Sequence, residues 1–497
     1  MAAIPAMTGT ILPDGVETEL KLALDAKALA ALLADDAFFP PDAKVQKQVS
    51  TYFDTPGAAL KKAGLTLRVR RIGERRVQTL KAASGKAASL FVRTEWEHEI
   101  LGDVPEVDGL VRMFGSALDG TDMESLHPVF ATHVNRVRAE HVHDGSRIEL
   151  VADKGMIRAG SRRTTICEVE LELLEGDRRA LFALARTISA RVPVRLGVSS
   201  KSDRGQALLA EDAERMSKAD PIWLSRDMSA ADTFAAIVAA CIHHYRVNED
   251  LLLASADVEA VHQCRVALRR LRSALSIFQH CLDPASDHFR RELEWISGQL
   301  GAVRNVDVMI PRIDGQQALR TLRRARKHRQ AALVAALDSA RMRNLLLDLV
   351  EYSVEGEWRR GEIAMEPAGD FARQALDRLR RRMKRRGRHF RKMAEQDRHR
   401  LRIAGKKLRY AAEFFTALFR GRKAGRRRED LLSALEELQT GLGELNDMAV
   451  GRALLVELGI ADADTLLPSA SSRHVKKLLD RAADCHESLI DAKRFWR

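Results

Sequence analysis

Two periodicities divide the chain. Up to about residue 210, apolar and polar side chains alternate in short runs with a few helical stretches between them, the period-two signature of β-strands. From about Ala230 onward the apolar positions recur at helical spacing. The strand-like runs share one property: a face charged with both signs. In Val16–Leu22, Glu17, Glu19 and Lys21 fall on one face, and Val16, Leu20 and Leu22 on the other, with Thr18 off pattern. Arg68 and Arg70 share a face with Thr66, Thr79 with Lys81, and Arg93 with Glu95, Glu97 and Glu99. Arg136, Arg138 and Glu140 alternate, as do Glu149 and Asp153, and Glu168, Glu170 and Glu172 oppose an apolar face.

Side chains on one face of a strand sit about 6–7 Å from neighbour to neighbour. Carboxylates at that separation can hold a hard divalent cation, and a lysine beside them can meet an anion. Taken alone, Glu17, Glu19 and Lys21 also fit the solvated face of an edge strand. The whole set admits two arrangements. In an open antiparallel sheet, the charged faces are wet. In a closed barrel they point inward, and about eight strands suffice to hold one small ligand. Mixed charge inside a barrel is costly unless ligand, metal or opposite charge satisfies it. Arginines and lysines suit a chain of phosphates, and clustered carboxylates suit Mg²⁺ or Mn²⁺.

The helical half repeats itself. His262, Arg265, Arg269, Arg270 and Arg272 match His399, Arg402, Lys406, Lys407 and Arg409; Phe278 matches Phe415, and Leu300-Gly301 matches Leu442-Gly443. From histidine to glycine the spacings are 39 and 44 residues. Two copies imply a duplicated helical bundle with a pseudo-two-fold axis. On a helix, Arg265, Arg269 and Arg272 share one face, one turn after His262; His399, Arg402, Lys406 and Arg409 repeat the stripe. Solvation alone does not require that register. The histidines lack metal-ligand spacing and read as hydrogen-bond donors to phosphate. Pro311 and Pro367 mark helix breaks, and no Gly-rich phosphate loop of the Walker type occurs.

Charge follows the same division. Residues 1–225 carry 31 Lys and Arg against 32 Asp and Glu; residues 226–497 carry 51 against 37 and so hold all the excess of a chain with net charge +13. The natural partner of the second half is a polyanion. Its arginine-dense runs, Arg378 to Lys392 and Arg420 to Arg428, contain Phe390 as their sole aromatic, which disfavours stacking on nucleic-acid bases. At 497 residues the chain exceeds one compact core. The expected division is a domain over 1–212, a linker over 213–225 around Pro221, and a helical domain over 226–497. Five scattered cysteines without Cys-x-x-Cys spacing, no membrane-length apolar run and no secretory signal pattern lead us to expect a cytoplasmic protein without disulfides or a zinc site.

In their order, these motifs resemble two known families. Over about residues 14–212 the chain resembles the CYTH superfamily, the triphosphate tunnel metalloenzymes. The resemblance rests on Glu17-x-Glu19-x-Lys21, Tyr52-Phe53-Asp54-Thr55, Leu67–Arg70, Thr79–Lys81, Arg93-x-Glu95-x-Glu97, Arg136, Asp153-Lys154-Gly155, Glu168–Glu172 and Ser200-Lys201. It implies an eight-stranded antiparallel tunnel with flanking helices, a divalent metal, and a triphosphate substrate. Carried over by position, Glu17, Glu19 and Lys21 are catalytic. Lys21, Arg68, Arg70, Lys81, Arg93, Arg136 and Lys201 grip phosphate, with Arg138 able to replace Arg136. Glu17, Glu19, Asp153, Glu168, Glu170 and Glu172 hold metal or position water, and Glu95, Glu97 and Glu149 add ligands or balance the arginines. Over about residues 226–497 the chain resembles the CHAD domain, which implies binding of inorganic polyphosphate by His262, Arg265, Arg269, Arg272, His399, Arg402, Lys406 and Arg409. It departs from that pattern where Lys406-Lys407 replaces an arginine pair and Asn305 stands for an aspartate. The fold expected is therefore α+β, a β-tunnel followed by an all-α duplicated bundle. The activity expected is metal-dependent hydrolysis of inorganic triphosphate. The alternatives are a nucleotide cyclase using ATP, a thiamine triphosphatase, or a non-catalytic protein that binds polyphosphate or RNA.

Overall fold

The computed structural model describes residues 17–82, 88–93, 95–108, 110, 122–210, 216–460, 466–467 and 472–497. Val16, residues 213–215 of the expected linker, and the side chain of Arg93 lie outside them. The chain divides into two compact units, Met1–Arg215 with Leu346–Glu351, and Met216–Leu345 with Tyr352–Arg497.

Alternation becomes strand throughout the first unit. β1 (Glu17–Ala23), β2 (Lys44–Asp54), β3 (Leu65–Ile72), β4 (Arg75–Ala82), β5 (Leu90–Arg93), β6 (Glu95–Ile100), β7 (His127–His143), β8 (Ser146–Ala159), β9 (Arg162–Glu175) and the two-residue β10 (Arg195–Leu196) form one antiparallel sheet in the order β10-β1-β9-β8-β7-β2-β3-β4-β6. β5 pairs with β1, while β6, one residue further on, pairs with β4. The segment 90–100 therefore bridges the two ends of the sheet and completes a ring of eight strand positions. The β7–β8 hairpin turns on Asp144-Gly145, both at positive φ, the pairing that a two-residue hairpin loop favours.

Ring closure sends the charged faces inward and the apolar faces out under helices. α1 (Ala26–Leu33) and α2 (Ala59–Lys62) follow β1 and β2. α3 (Arg179–Arg191) lies over β1 and β9, burying Leu181, Ala185 and Ile188 together with Leu20, Leu22 and Leu171. A second cluster joins Phe53, Leu67, Val69, Leu80 and Ile100. α4 (Lys201–Leu209) starts from a Ser200–Asp203 capping box and packs on β8 and β7. Buried Asp54 explains the Tyr-Phe-Asp-Thr signature: its carboxylate accepts the Leu60 and Lys61 backbone N–H groups at 2.9 and 3.1 Å, fixing the start of α2.

The second unit is helical: α5 (Ala230–Ser255), α6 (Val258–Ile277), α7 (Ser286–Met309), α8 (Gln316–Leu337), α9 (Ala340–Glu355), α10 (Glu362–Met365), α11 (Ala368–Arg386), α12 (Glu395–Phe414), α13 (Arg422–Glu457) and α14 (Ser472–Asp491). None of the described helices is long and apolar enough to cross a membrane. The repeat seen in sequence is a repeat in space. An isolated antiparallel bridge pairs Ser229 with Pro367, just ahead of α5 and α11. Around it cluster Phe234 and Phe371, Phe278 and Phe415, with Phe278 stacked on Phe371 at 4.5 Å. Contacts across the pseudo-axis are reciprocal. Arg270 donates to Glu413 at 2.5 Å, and its counterpart Lys407 donates to Ser276, the counterpart of Glu413, at 2.7 Å.

Phe278 is fully buried where the two copies meet. Phe278→Ala is expected to lower the unfolding free energy of the helical unit by about 3–5 kcal/mol, read from denaturant titration. A loss below about 1 kcal/mol would show that the phenylalanine cluster does not hold the copies together.

Candidate functional site

The inward faces of the ring enclose a cavity of about 520 Å³. Glu17, Glu19 and Lys21 of β1 line it, as do Arg68 and Arg70 of β3, Lys81 of β4, Arg136 and Arg138 of β7, Glu170 and Glu172 of β9, and Lys201 of α4. Glu95, Glu97 and Glu149 join them. Sequence reasoning gave no role to the hydroxyls of Tyr52, Thr66, Ser200 and Ser202, which also line the cavity. The signal for three of them was in the motifs: Tyr52 and Ser200 belong to matched motifs, and Thr66 shares the face of Arg68 and Arg70. Asp153 and Glu168 do not line the cavity. They are buried behind it, at 0 and 3 % exposure.

Two ion clusters organise the wall. In the first, Lys21 donates to Glu170 at 2.6 Å, and Lys201 sits 2.7 Å from Asp153, 3.0 Å from Glu170 and in contact with Glu168. Arg136 clasps Asp153 through two bonds of 2.7 and 2.5 Å and reaches Glu170 at 3.1 Å. Burial alone would raise the carboxyls of Asp153 and Glu170; Lys201 and Arg136, joined at Glu170 by Lys21, hold both below the usual range. Removing one partner from such a buried network costs about 3–5 kcal/mol. In the second cluster, Lys81 lies 3.3 Å from Glu17 and contacts Glu95, which Arg68 also meets at 3.3 Å. Burial pushes the Glu17 carboxyl up to about 8 against the pull of Lys81, helped by a hydrogen bond to Glu95.

Other charges are left over. Strand register sets Glu19 opposite Glu172 and Glu172 opposite Glu149, one row of carboxylates across β1, β9 and β8. Burial, Glu149 and Glu19 raise the Glu172 carboxyl. The nearest cation to Glu19 is Lys21 at 3.9 Å, and Arg138 lies 3.3 Å from Glu149. On the opposite side of the charge balance is Arg70. Burial and the neighbouring Arg68 and Arg136 lower it to about 9, and its Nε is buried without a hydrogen-bond partner. Oxygen donors of Asp153, Glu168 and Glu170 lie within 4.8 Å of one another, near enough for one ion. In this structure Lys21, Lys201 and Arg136 already contact those three, while the Glu19–Glu172–Glu149 row, placed by strand register, meets fewer cations.

In the helical unit, Arg265, Arg269 and Arg272 line a groove of about 630 Å³ with Lys406 from the other copy. Two matched glycines explain part of the repeat. A Cβ at Gly301 would stand 2.6 Å from an Arg265 guanidinium nitrogen, and one at Gly443 would stand 3.3 Å from Arg402. Each glycine thus seats the arginine of its own copy against a helix. Burial and then Arg269, Arg402, Arg265 and Arg409 lower the Lys406 ammonium to about 6. The Nε atoms of Arg269 and Arg402 are buried without hydrogen-bond partners. His399 and Arg402 line a separate cavity, and His262 and Arg409 line neither. Burial and Arg304, which the sequence reading had not singled out, lower His262.

Family models place both halves: the CYTH domain matches residues 15–205 and the CHAD domain residues 236–456. The chain combines a CYTH domain with a CHAD domain. A relative named inorganic triphosphatase, from Haemophilus influenzae, is 28% identical over 159 residues, 32% of this CYTH–CHAD chain; the match spans 45% of that relative's length. Among solved structures, the CHAD domain from the plant Ricinus communis is 29% identical and covers 56% of this chain and 97% of its own, with a TM-score of 0.47. A Hippeastrum protein, named for adenylyl cyclase and described as having a dominant triphosphatase activity, is 20% identical and covers 38% of this chain and 95% of its own, with a TM-score of 0.30.

The raised Glu17 carboxyl carries a stability consequence. Between the ordinary value of 4.5 and about 8, the folded chain keeps a proton that the unfolded chain has released, so stability falls as pH rises through that window. Glu17→Gln removes this titration. Thermal unfolding followed from about pH 5 to about pH 9 should show the variant gaining on the parent as pH rises; parallel curves would mean that Glu17 is ionised throughout.

Proposed function

We propose that the CYTH tunnel hydrolyses inorganic triphosphate to diphosphate and phosphate with Mg²⁺ or Mn²⁺, and that the CHAD domain binds inorganic polyphosphate. One observation carries the choice of substrate. Among the described residues, every side chain lining the tunnel cavity is charged or hydroxylic; none of these is aliphatic, and the one ring among them, Tyr52, is buried and stacked on Phe130 at 4.4 Å. A nucleoside or a thiamine would meet only charge, whereas a bare triphosphate suits such a wall throughout. The Haemophilus relative's name supports the same reading.

The roles follow from the geometry. Arg70, unpaired and desolvated, gains its missing partner when a phosphate arrives, and with Arg68 and Lys81 it holds one end of the anion. Lys21, Lys201 and Arg136 present the remaining cationic edge, fixed in place by Asp153, Glu168 and Glu170. Asp153 and Glu168 therefore act by positioning cations. Glu19, Glu172 and Glu149 would hold the divalent cation, which when bound neutralises phosphate charge. Water attacks the terminal phosphorus, the bond from that phosphorus to the bridging oxygen breaks, and diphosphate leaves. Glu17 is the group to accept the water's proton once its carboxyl has ionised, so hydrolysis should rise as pH climbs toward about 8. In the CHAD domain, Arg265, Arg269 and Arg272 are cations held close together beside Lys406, and a polyanion relieves their repulsion.

Phosphate release from the purified protein should be fastest with inorganic triphosphate, slower with ATP and thiamine triphosphate by at least about tenfold, and abolished by EDTA. Glu19→Gln and Arg70→Ala should each lower it about 10²–10³-fold. Release from ATP equal to that from triphosphate would overturn the substrate assignment. Arg269→Ala combined with Lys406→Ala should abolish retention on immobilised polyphosphate and leave triphosphate hydrolysis intact, while Glu19→Gln should do the reverse. Loss of both functions in either variant would sink the two-module division.

A further inference from the structure

The two copies of the helical repeat differ where they should match. Aligned on Gly301 and Gly443, Leu445 and Met448 of α13 correspond to Val303 and Val306 of α7. Val303 and Val306 are fully buried; Val306 packs with Met309 and with Ala318 and Leu322 of α8. Asp307, next in line, is tied to Arg326 of α8 at 2.8 Å. In the second copy Ala449 replaces Asp307, and Leu445 and Met448 are only half-buried. They form one wall of a cleft of about 320 Å³ between α12, α13 and α14.

The cleft is amphipathic. Leu442, Leu445, Met448, Leu467 and Val475 make its apolar surface, with Asn446 and Arg452 of α13 among them, and Arg398, His399 and Arg402 stand along α12. Glu395 is its one lining carboxylate. We propose that this cleft binds a nucleoside phosphate, with the base against the apolar wall and the phosphate toward Arg398, His399 and Arg402. An inorganic phosphate chain would satisfy the cations but leave the apolar wall beside water or charge. A neutral apolar ligand would fill the wall and leave Arg402 with its Nε buried and unpartnered. A nucleoside phosphate meets both demands, and its sugar hydroxyls give Glu395 a donor where a second phosphate would be repelled. The cavity volume lies at the lower end of the usual range for small-molecule pockets, about 300–1,000 Å³. The cleft shares no lining residue with the groove of Arg265, Arg269 and Lys406, although Arg402 feels the charge of Arg269, and the proposal stands whether or not the triphosphatase reading does.

The test is calorimetric titration of the full chain with ADP and, separately, inorganic diphosphate, both in EDTA. ADP should bind one equivalent. His399→Ala, at an exposed position, and Met448→Glu, at the apolar wall, should each weaken ADP by at least about tenfold. Diphosphate binding should not respond to Met448→Glu. Unchanged thermal unfolding certifies the fold of each variant, and His399→Ala decides alone if Met448→Glu is unstable. No ADP binding, or ADP binding indifferent to His399→Ala, overturns the proposal. So does ADP binding lost with Arg269→Ala or Lys21→Ala, which would place the nucleotide in the groove or the tunnel.

Discussion

A charge taken out of water must find a counter-charge, and both halves of this chain are built around how that demand is met. Inside the β-ring the demand is met from within. Lys21, Lys201 and Arg136 share Asp153, Glu168 and Glu170, so a wall of buried ions stands without a ligand. The ring needs that internal balance because closure turns the charged face of every strand inward. What remains unbalanced, Arg70 on one side and the Glu19–Glu172–Glu149 row on the other, is what an anion and a cation from solution can complete. The helical unit meets the demand differently: it gathers Arg265, Arg269 and Arg402 around Lys406, and burial and their mutual repulsion lower Arg265, Arg402 and Lys406.

Much of this was legible in the chain. Period-two alternation with two-signed faces identified the strands and put Glu17, Glu19 and Lys21 on one wall, because strand geometry alone decides which side chains share a face. The ring was legible only by resemblance. Its closing element is β5 with β6, whose alternation reads as one strand from Arg93 to Glu99, and closure depends on β5 finding β1 while β6 finds β4. Which carboxylates face the cavity could not be read either. Asp153 and Glu168 obey the same alternation as Glu172, but the ammonium of Lys201, brought in by α4, covers them, and α4 lies far along the chain from β8. Similarly, the sequence showed that Gly301 and Gly443 match, but not that each seats an arginine, since that contact runs between helices.

Duplication set the symmetry of the helical unit, and divergence left its halves unequal. The pseudo-axis is kept by contacts that tolerate substitution: Arg270 with Glu413 became Lys407 with Ser276, a weaker pair of the same geometry. Away from the axis the copies are freer to differ. One copy buries Val303 and Val306 under α8, whereas the other keeps the equivalent positions open. The two basic stripes are likewise unequal, since Lys406 faces the arginines of the first copy while His399 and Arg402 face a cavity of their own.

Lys406 carries one more consequence. Burial first, and then the surrounding arginines, lower its ammonium to about 6, which favours the neutral amine in the empty groove. A polyanion in the groove would screen the arginines and return the lysine toward its ordinary basicity, so polymer and proton would enter together. Linkage is reciprocal: whatever factor the polymer adds to the lysine's proton affinity, acidification adds to the affinity for the polymer. An arginine at this position would stay charged and lose the coupling. With Lys406 where an arginine would stay charged, a polyanion bound in this groove would be held by a grip that follows the acidity of its surroundings.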